Sequence, residues 1–193
     1  MLALRSLVAA ALSLVACGER PEPTRFVAAV STPDGGVSIG LTVQDDLVAG
    51  YACGDDPETE WYPGWFTGEA TASSVWLEKD GWIFAARWTA SGAEGALIER
   101  SGEEVRWAAP VAGGLSATYA ARDAGCTTGV VVVDGPEPIL RGTWCNRHGE
   151  QRQVTPLGPM ELVDGRLTVV VELESGERHL EVAPVELPLL DEG

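Results

Sequence analysis

Turn signals recur along this chain at intervals of about 8–12 residues, and that spacing leaves room for little besides short strands. They fall at Pro33-Asp34-Gly35-Gly36, Gln44-Asp45-Asp46, Asp80-Gly81, Ser91-Gly92, Ser101-Gly102, Asp134-Gly135, Asp164-Gly165 and Ser175-Gly176. Between them apolar residues repeat with period two, which places one face of a strand on a core. Val37, Ile39, Leu41 and Val43 alternate with Ser38, Gly40 and Thr42, and Leu167, Val169, Val171 and Leu173 with Thr168, Val170 and Glu172. After the first 24 residues no stretch keeps a helical period over about eleven residues. The best of them, Gly92 to Arg100, is interrupted by Gly95. The expected fold is all-β: an antiparallel meander forming a barrel or a two-sheet sandwich, as a single β-rich domain over residues 25–193.

Two hairpins can be registered from their turns. Centring one on Asp80-Gly81 sets Lys79 opposite Trp82, Leu77 opposite Phe84 and Val75 opposite Ala86. Trp82, Phe84, Ala86 and Trp88 then share a core face with Leu77 and Val75, and a slip of one residue would turn the whole set outward. The other hairpin joins Cys126–Val133 to Ile139–Cys145 around Asp134-Gly135-Pro136-Glu137. Centred there, Val132 faces Ile139, Val130 faces Arg141, Thr128 faces Thr143 and Cys126 faces Cys145. A Cys126–Cys145 disulfide is therefore expected, contributing roughly 3 kcal/mol in the chain-entropy account. Cys53, on the face of Leu47, Ala49 and Tyr51, is expected to remain a buried thiol. The rival is a bridge from Cys53 to either later cysteine.

The N-terminus has a different pattern. Arg5 precedes the apolar run Leu7 to Ala16, LVAAALSLVA, which has the shape of an export signal and falls well short of the roughly 20 apolar residues that span a bilayer. The run ends in Leu14-Val15-Ala16-Cys17, which resembles the lipobox of bacterial lipoproteins. The resemblance implies diacylglycerol attachment at the Cys17 thiol, cleavage before it and acylation of the new terminus. Residues 1–16 are then a signal peptide and 17–24 the lipidated N-terminus and tether, of which Gly18 to Thr24 reach at most about 25 Å. Two or more acyl chains anchor stably where one does not. Gly18, in place of the aspartate that favours inner-membrane retention, favours the outer membrane where the organism has one. The implied location is the lipid-anchored face of the cell envelope, an oxidising compartment that permits the disulfide.

The formal charge is −16. Arg5 is the only charged residue before Cys17, so the processed chain carries −17. Such an acidic surface repels phosphate backbones, and nucleic acid is excluded as a partner class. Gly36-Val37-Ser38-Ile39-Gly40 matches the G-x-S-x-G pattern, but that chemistry needs a strained strand-to-helix turn, and here the serine sits within an alternating strand. His148 and His179 have no metal-ligand spacing, and the acidic residues Asp55, Asp56, Glu58 and Glu60 lack the glycine and spacing of a calcium loop. No catalytic residue, metal or cofactor is expected.

The least regular segment is Gly54 to Phe66, GDDPETEWYPGWF. Its rings either plug one end of the barrel or sandwich or offer stacking surfaces for a glycan, a peptide or a cationic group. On the second reading Trp61, Tyr62 and Trp65 are the candidate ligand-binding residues. Leu47-Val48-Ala49-Gly50-Tyr51-Ala52-Cys53, Tyr119-Ala120-Ala121 and Gly129-Val130-Val131-Val132-Val133-Asp134-Gly135 resemble, over roughly residues 37–170, a β-rich extracellular domain of secreted and surface proteins of actinobacteria. That domain supplies no catalytic or binding residues to carry over.

These features describe a membrane-tethered, non-enzymatic β-domain with a binding or envelope-structural role and a protein or glycan ligand. The alternatives are an inhibitor or immunity lipoprotein acting on a cationic protein, and a hydrolase of envelope polymers. Replacing Cys17 by alanine is expected to abolish membrane attachment. Incorporation of labelled palmitate and fractionation of the variant check it, and equal labelling of the variant would refute it.

Overall fold

The computed structural model describes residues 21–33, 35–55, 63–123 and 125–188. Among them there is no helix, and fourteen strands pair antiparallel throughout. The first eight are β1 (Thr24–Thr32), β2 (Gly35–Gln44), β3 (Leu47–Gly54), β4 (Gly64–Glu69), β5 (Ser74–Lys79), β6 (Trp82–Trp88), β7 (Gly92–Glu99) and β8 (Glu104–Pro110). They form two four-stranded sheets, β1-β2-β3-β4 and β5-β6-β7-β8. The remaining six are β9 (Ala117–Asp123), β10 (Cys126–Val133), β11 (Ile139–Cys145), β12 (Gln151–Pro156), β13 (Leu167–Leu173) and β14 (Gly176–Pro184). They close into a barrel. The meander thus contains both a sandwich and a barrel.

The two sheets share one core. Phe26, Ile39, Leu41 and Phe66 from the first meet Phe84, Leu97 and Trp107 from the second. Phe84 is the pivot, with ring centroids 5.5 Å from Phe66 and 5.8 Å from Trp107. It reaches the first sheet because Gly50 has no side chain, and a Cβ there would press into the ring at 2.8 Å. The β5–β6 register is the expected one, Lys79 with Trp82 through Val75 with Ala86. Trp82 and Trp88 accordingly pack against this core. Gly95, which interrupts the helical reading of Gly92 to Arg100, lies in β7 with no room for a Cβ beside Trp107.

The barrel has its own core, built from the alternating face of β13 (Leu167, Val169, Val171) with Val130, Val132, Trp144 and Val182. A barrel this small is filled by its side chains. Its aromatic residues keep their polar atoms satisfied at the ends: the Tyr119 hydroxyl donates to Leu115 O at 2.8 Å and Trp144 Nε1 to Asp123 Oδ2 at 2.9 Å.

The barrel docks on the outer face of the first sheet. That face is the small and polar half of the alternation, and contact with the barrel buries Ser38, Thr42, Cys53 and Tyr51 almost completely. The fit depends on two glycines. Gly40 on the sheet lies under Thr118 of the barrel, and Gly129 on the barrel lies under the Tyr51 ring of the sheet. A Cβ at either position would overlap the side chain opposite. Tyr51 then accepts a hydrogen bond at its hydroxyl from the Thr143 backbone N–H, at 3.0 Å. At the far end of the interface Gln44 joins both ends of the described chain, donating to Pro21 O at 2.9 Å and accepting from Leu187 N at 2.8 Å. Leu187 is buried there, so the Leu187-Pro188 segment covers the sheet.

The β10–β11 hairpin corrects one expectation. Val133 pairs with Ile139 and Gly129 with Thr143, one residue out of the register read from the sequence. The cause is a five-residue loop. Pro138 has no N–H to offer a ladder, and the Asp134 N–H is taken by Ser116 Oγ at 2.9 Å. Cys126 and Cys145 are therefore not directly opposed. The ladder ends at Gly129–Thr143, where Tyr51 inserts, and the cysteines meet beyond it with Cα atoms 5.7 Å apart, within disulfide geometry. Cys53 is free and buried.

Tyr51→Phe keeps the ring on Gly129 but leaves a buried backbone N–H without its acceptor. The expected loss is about 1–3 kcal/mol of unfolding free energy, measured by urea denaturation. An unchanged midpoint would show that the hydroxyl is dispensable.

Candidate functional site

Two places carry exposed chemistry. The first is the end of the molecule to which the aromatic segment belongs. Trp61 and Tyr62 lie outside the described residues, as do Asp56, Glu58 and Glu60. Trp65 is half-buried in the interface: its ring centroid is 4.6 Å from that of Tyr51, and its Nε1 donates to Thr127 O at 3.0 Å. One edge of Trp65 lines a cleft of about 230 Å³ with Trp82, Lys79, Gln151 and the Cys126–Cys145 pair. Asp55 is the last described residue before the segment. Its Oδ1 accepts from Gly36 N at 2.6 Å, and its Oδ2 pairs with Arg141 at 2.9 Å. The Arg141 guanidinium also reaches Ser38 Oγ at 3.5 Å.

Ser38 lies in the middle of β2, fully buried, in the strand the alternation had assigned to it. It stands opposite Cys53 on the ladder. Burial pushes the Cys53 thiol up to about 12, against a smaller lowering by the Arg141 charge. Burial likewise raises the Tyr51 hydroxyl well above its ordinary value. Burial favours the neutral form of both groups, the reverse of what an attacking thiolate needs. His148 lies in the β11–β12 turn, where its N–H donates to Asn146 Oδ1 at 2.9 Å, and His179 lies on β14 beside Glu177. Among the described residues no group of three or more His, Cys, Asp or Glu side chains is placed to hold a metal ion.

The second place is the outer face of the β5–β8 sheet. Pairing aligns its side chains in rows across all four strands. Trp76 lies beside Ala85, Ala85 beside Ala96, and Ala96 beside Arg106. The two alanines form a floor between a tryptophan on one edge strand and an arginine on the other, about 14 Å apart at the usual strand spacing. The flanking rows raise the walls. One holds Arg87 and Glu94, which form an ion pair, and the other Ile83, Ile98 and Glu104, with Glu104 paired to Arg106 at 3.0 Å. The resulting groove has a volume of about 720 Å³. Trp76 is 60% exposed, yet its ring is oriented, since Nε1 donates to Glu78 Oε1 at 2.9 Å.

Sequence reasoning missed this groove. Its signal was one large aromatic residue on the polar phase of β5, among Ser74, Glu78 and Trp76. The residues facing Trp76 on three other strands become neighbours only through the pairing. Comparison with protein-family models, with curated proteins and with solved structures found no match to this chain.

The thiol of Cys53 gives a prediction with a definite sign. A thiol neutral in the fold ionises near pH 9.0 once unfolded, so its contribution is complete below that pH and is lost as pH rises toward about 12. Cys53→Ala is therefore expected to lose less stability than the parent chain across that window. Urea titrations at several pH values measure it, and parallel curves would contradict the burial argument.

Proposed function

We propose that this chain is a cell-envelope lipoprotein, anchored through Cys17, that acts by binding and presents the outer face of the β5–β8 sheet to its ligand. The observation that carries the reading is the row Trp76–Ala85–Ala96–Arg106: an exposed, oriented aromatic face, a flat floor and a charged edge in one groove. Ligand sites combine apolar surface with placed polar groups, and here Trp76 and the alanine floor supply the first while the paired charges of the walls supply the second. Its arginines are each paired with a glutamate, so the walls offer hydrogen bonds without a net call for an anion. The acidic chain as a whole also disfavours anionic ligands. A neutral glycan fits these terms, with a sugar face on Trp76 and hydroxyls toward Arg106, Glu104 and Glu94.

The full chain in detergent micelles, applied to neutral polysaccharides and soluble oligosaccharides, tests the reading. Trp76→Ala is expected to weaken binding by about 2 kcal/mol, roughly 30-fold, as the loss of a central aromatic anchor does. Its melting temperature should hold, because the side chain is exposed. Binding unchanged in that variant would remove the groove from the reading.

A further inference from the structure

Among the described residues large exposed apolar side chains are few, and their placement is uneven. Among the described residues they are Trp76 in the groove, Val111, Leu157, Leu162 and Val163. The last four gather at one end. Leu157, Leu162 and Val163 belong to the β12–β13 connection, and Val111 follows β8. β12 and β14 end, and β9 and β13 begin, at this same end of the barrel.

The loop is built rather than frayed. Val163 and Arg166 exchange two backbone hydrogen bonds, at 2.9 and 3.0 Å, across Asp164-Gly165. Both central residues take positive φ, 51° and 74°, the conformation of a two-residue hairpin turn whose twist suits the strands. Met160 packs onto the barrel core behind them. Leu162 and Val163 are thus held outward, Val163 at 68% exposure.

The described chain begins at this end. Glu22 to Arg25 line one hollow with Val111 and Leu162, and Pro21 is fastened by the Gln44 hydrogen bond. Cys17 precedes Pro21 by four residues, which span at most about 14 Å when extended. A lipid on Cys17 therefore holds this end within that distance of the bilayer.

We propose that Leu157, Leu162, Val163 and Val111 rest in the interfacial layer of the membrane that carries the Cys17 lipid, so that the protein sits on the bilayer in one orientation. The proposal rests on the lipid-anchor reading. An acidic body gains nothing electrostatically from an anionic surface, so the contact is apolar. In this orientation the opposite end, with Asp55, Pro63 and the cysteine pair, points away from the membrane. The β5–β8 groove stands side-on, open to the space above the bilayer.

The test uses the lipidated full chain in phosphatidylcholine vesicles, with an environment-sensitive dye on Val163→Cys or, at the opposite end, on His148→Cys. Buried Cys53 does not compete for the dye. Lipids brominated on their acyl chains are expected to quench the dye at 163 several-fold more than at 148. Adding Leu162→Asp and Leu157→Asp should abolish the difference while the protein still floats with the vesicles. Equal, weak quenching at both sites in a chain that floats would overturn the seating and leave the anchor reading standing. A chain that takes up no palmitate and does not float would overturn both.

Discussion

The contact on which this architecture depends is the insertion of Tyr51 into the wall of the barrel. A sandwich and a barrel could each bury a core alone, and two closed bodies joined by a short link would move independently. Here the Tyr51 ring occupies the space left by Gly129, and its hydroxyl takes the Thr143 N–H at the point where the β10–β11 ladder ends. Trp65 packs against the ring at a tilt and is itself fastened to Thr127 O. The Cys126–Cys145 pair ties the two strands just past the insertion. A side chain from one body thus completes the hydrogen bonding of the other, which makes relative sliding costly.

That constraint explains an unusual distribution of small residues. The first sheet is buried on both faces, one by the sandwich core and one by the barrel. Gly40, Ser38, Ala49 and Cys53 line the barrel side because two sheets approach closely only where side chains are small, and Thr118 and Tyr51 occupy the recesses the glycines leave. The cost is a set of buried polar groups. It appears in the suppressed ionisation of Cys53 and Tyr51, whose pKa values burial raises, and in the lowered pKa of Arg25, where burial outweighs the attraction of Glu186 and Glu22.

Rigid docking also gives the exposed features fixed relations to one another. The hollow at the start of β1 and the apolar hairpin tip share one end; the cysteine pair and the Asp55–Arg141 bridge share the other. The groove of β5–β8 belongs to the face of that sheet turned away from the sandwich core.

Several of these features were determined by the sequence alone. Turn spacing and period two establish an all-β antiparallel meander, because a strand's side-chain period is a local property of the backbone. The two-residue turn at Asp80-Gly81 sets its register for the same reason, since nothing outside the hairpin is needed. The nearness of Cys126 and Cys145 was also legible. Their register was not: the five-residue loop arises from Ser116 reaching Asp134 across the barrel end, a contact between strands that the sequence does not order. Only the tertiary structure decided that the polar face of β2 would be buried, that Trp65 would serve the interface, and that Trp76 would lie opposite Arg106 across two alanines. Each of these depends on which faces of distant strands meet. Alternation distinguishes the two faces of a strand; it does not say whether the second face meets water or another sheet.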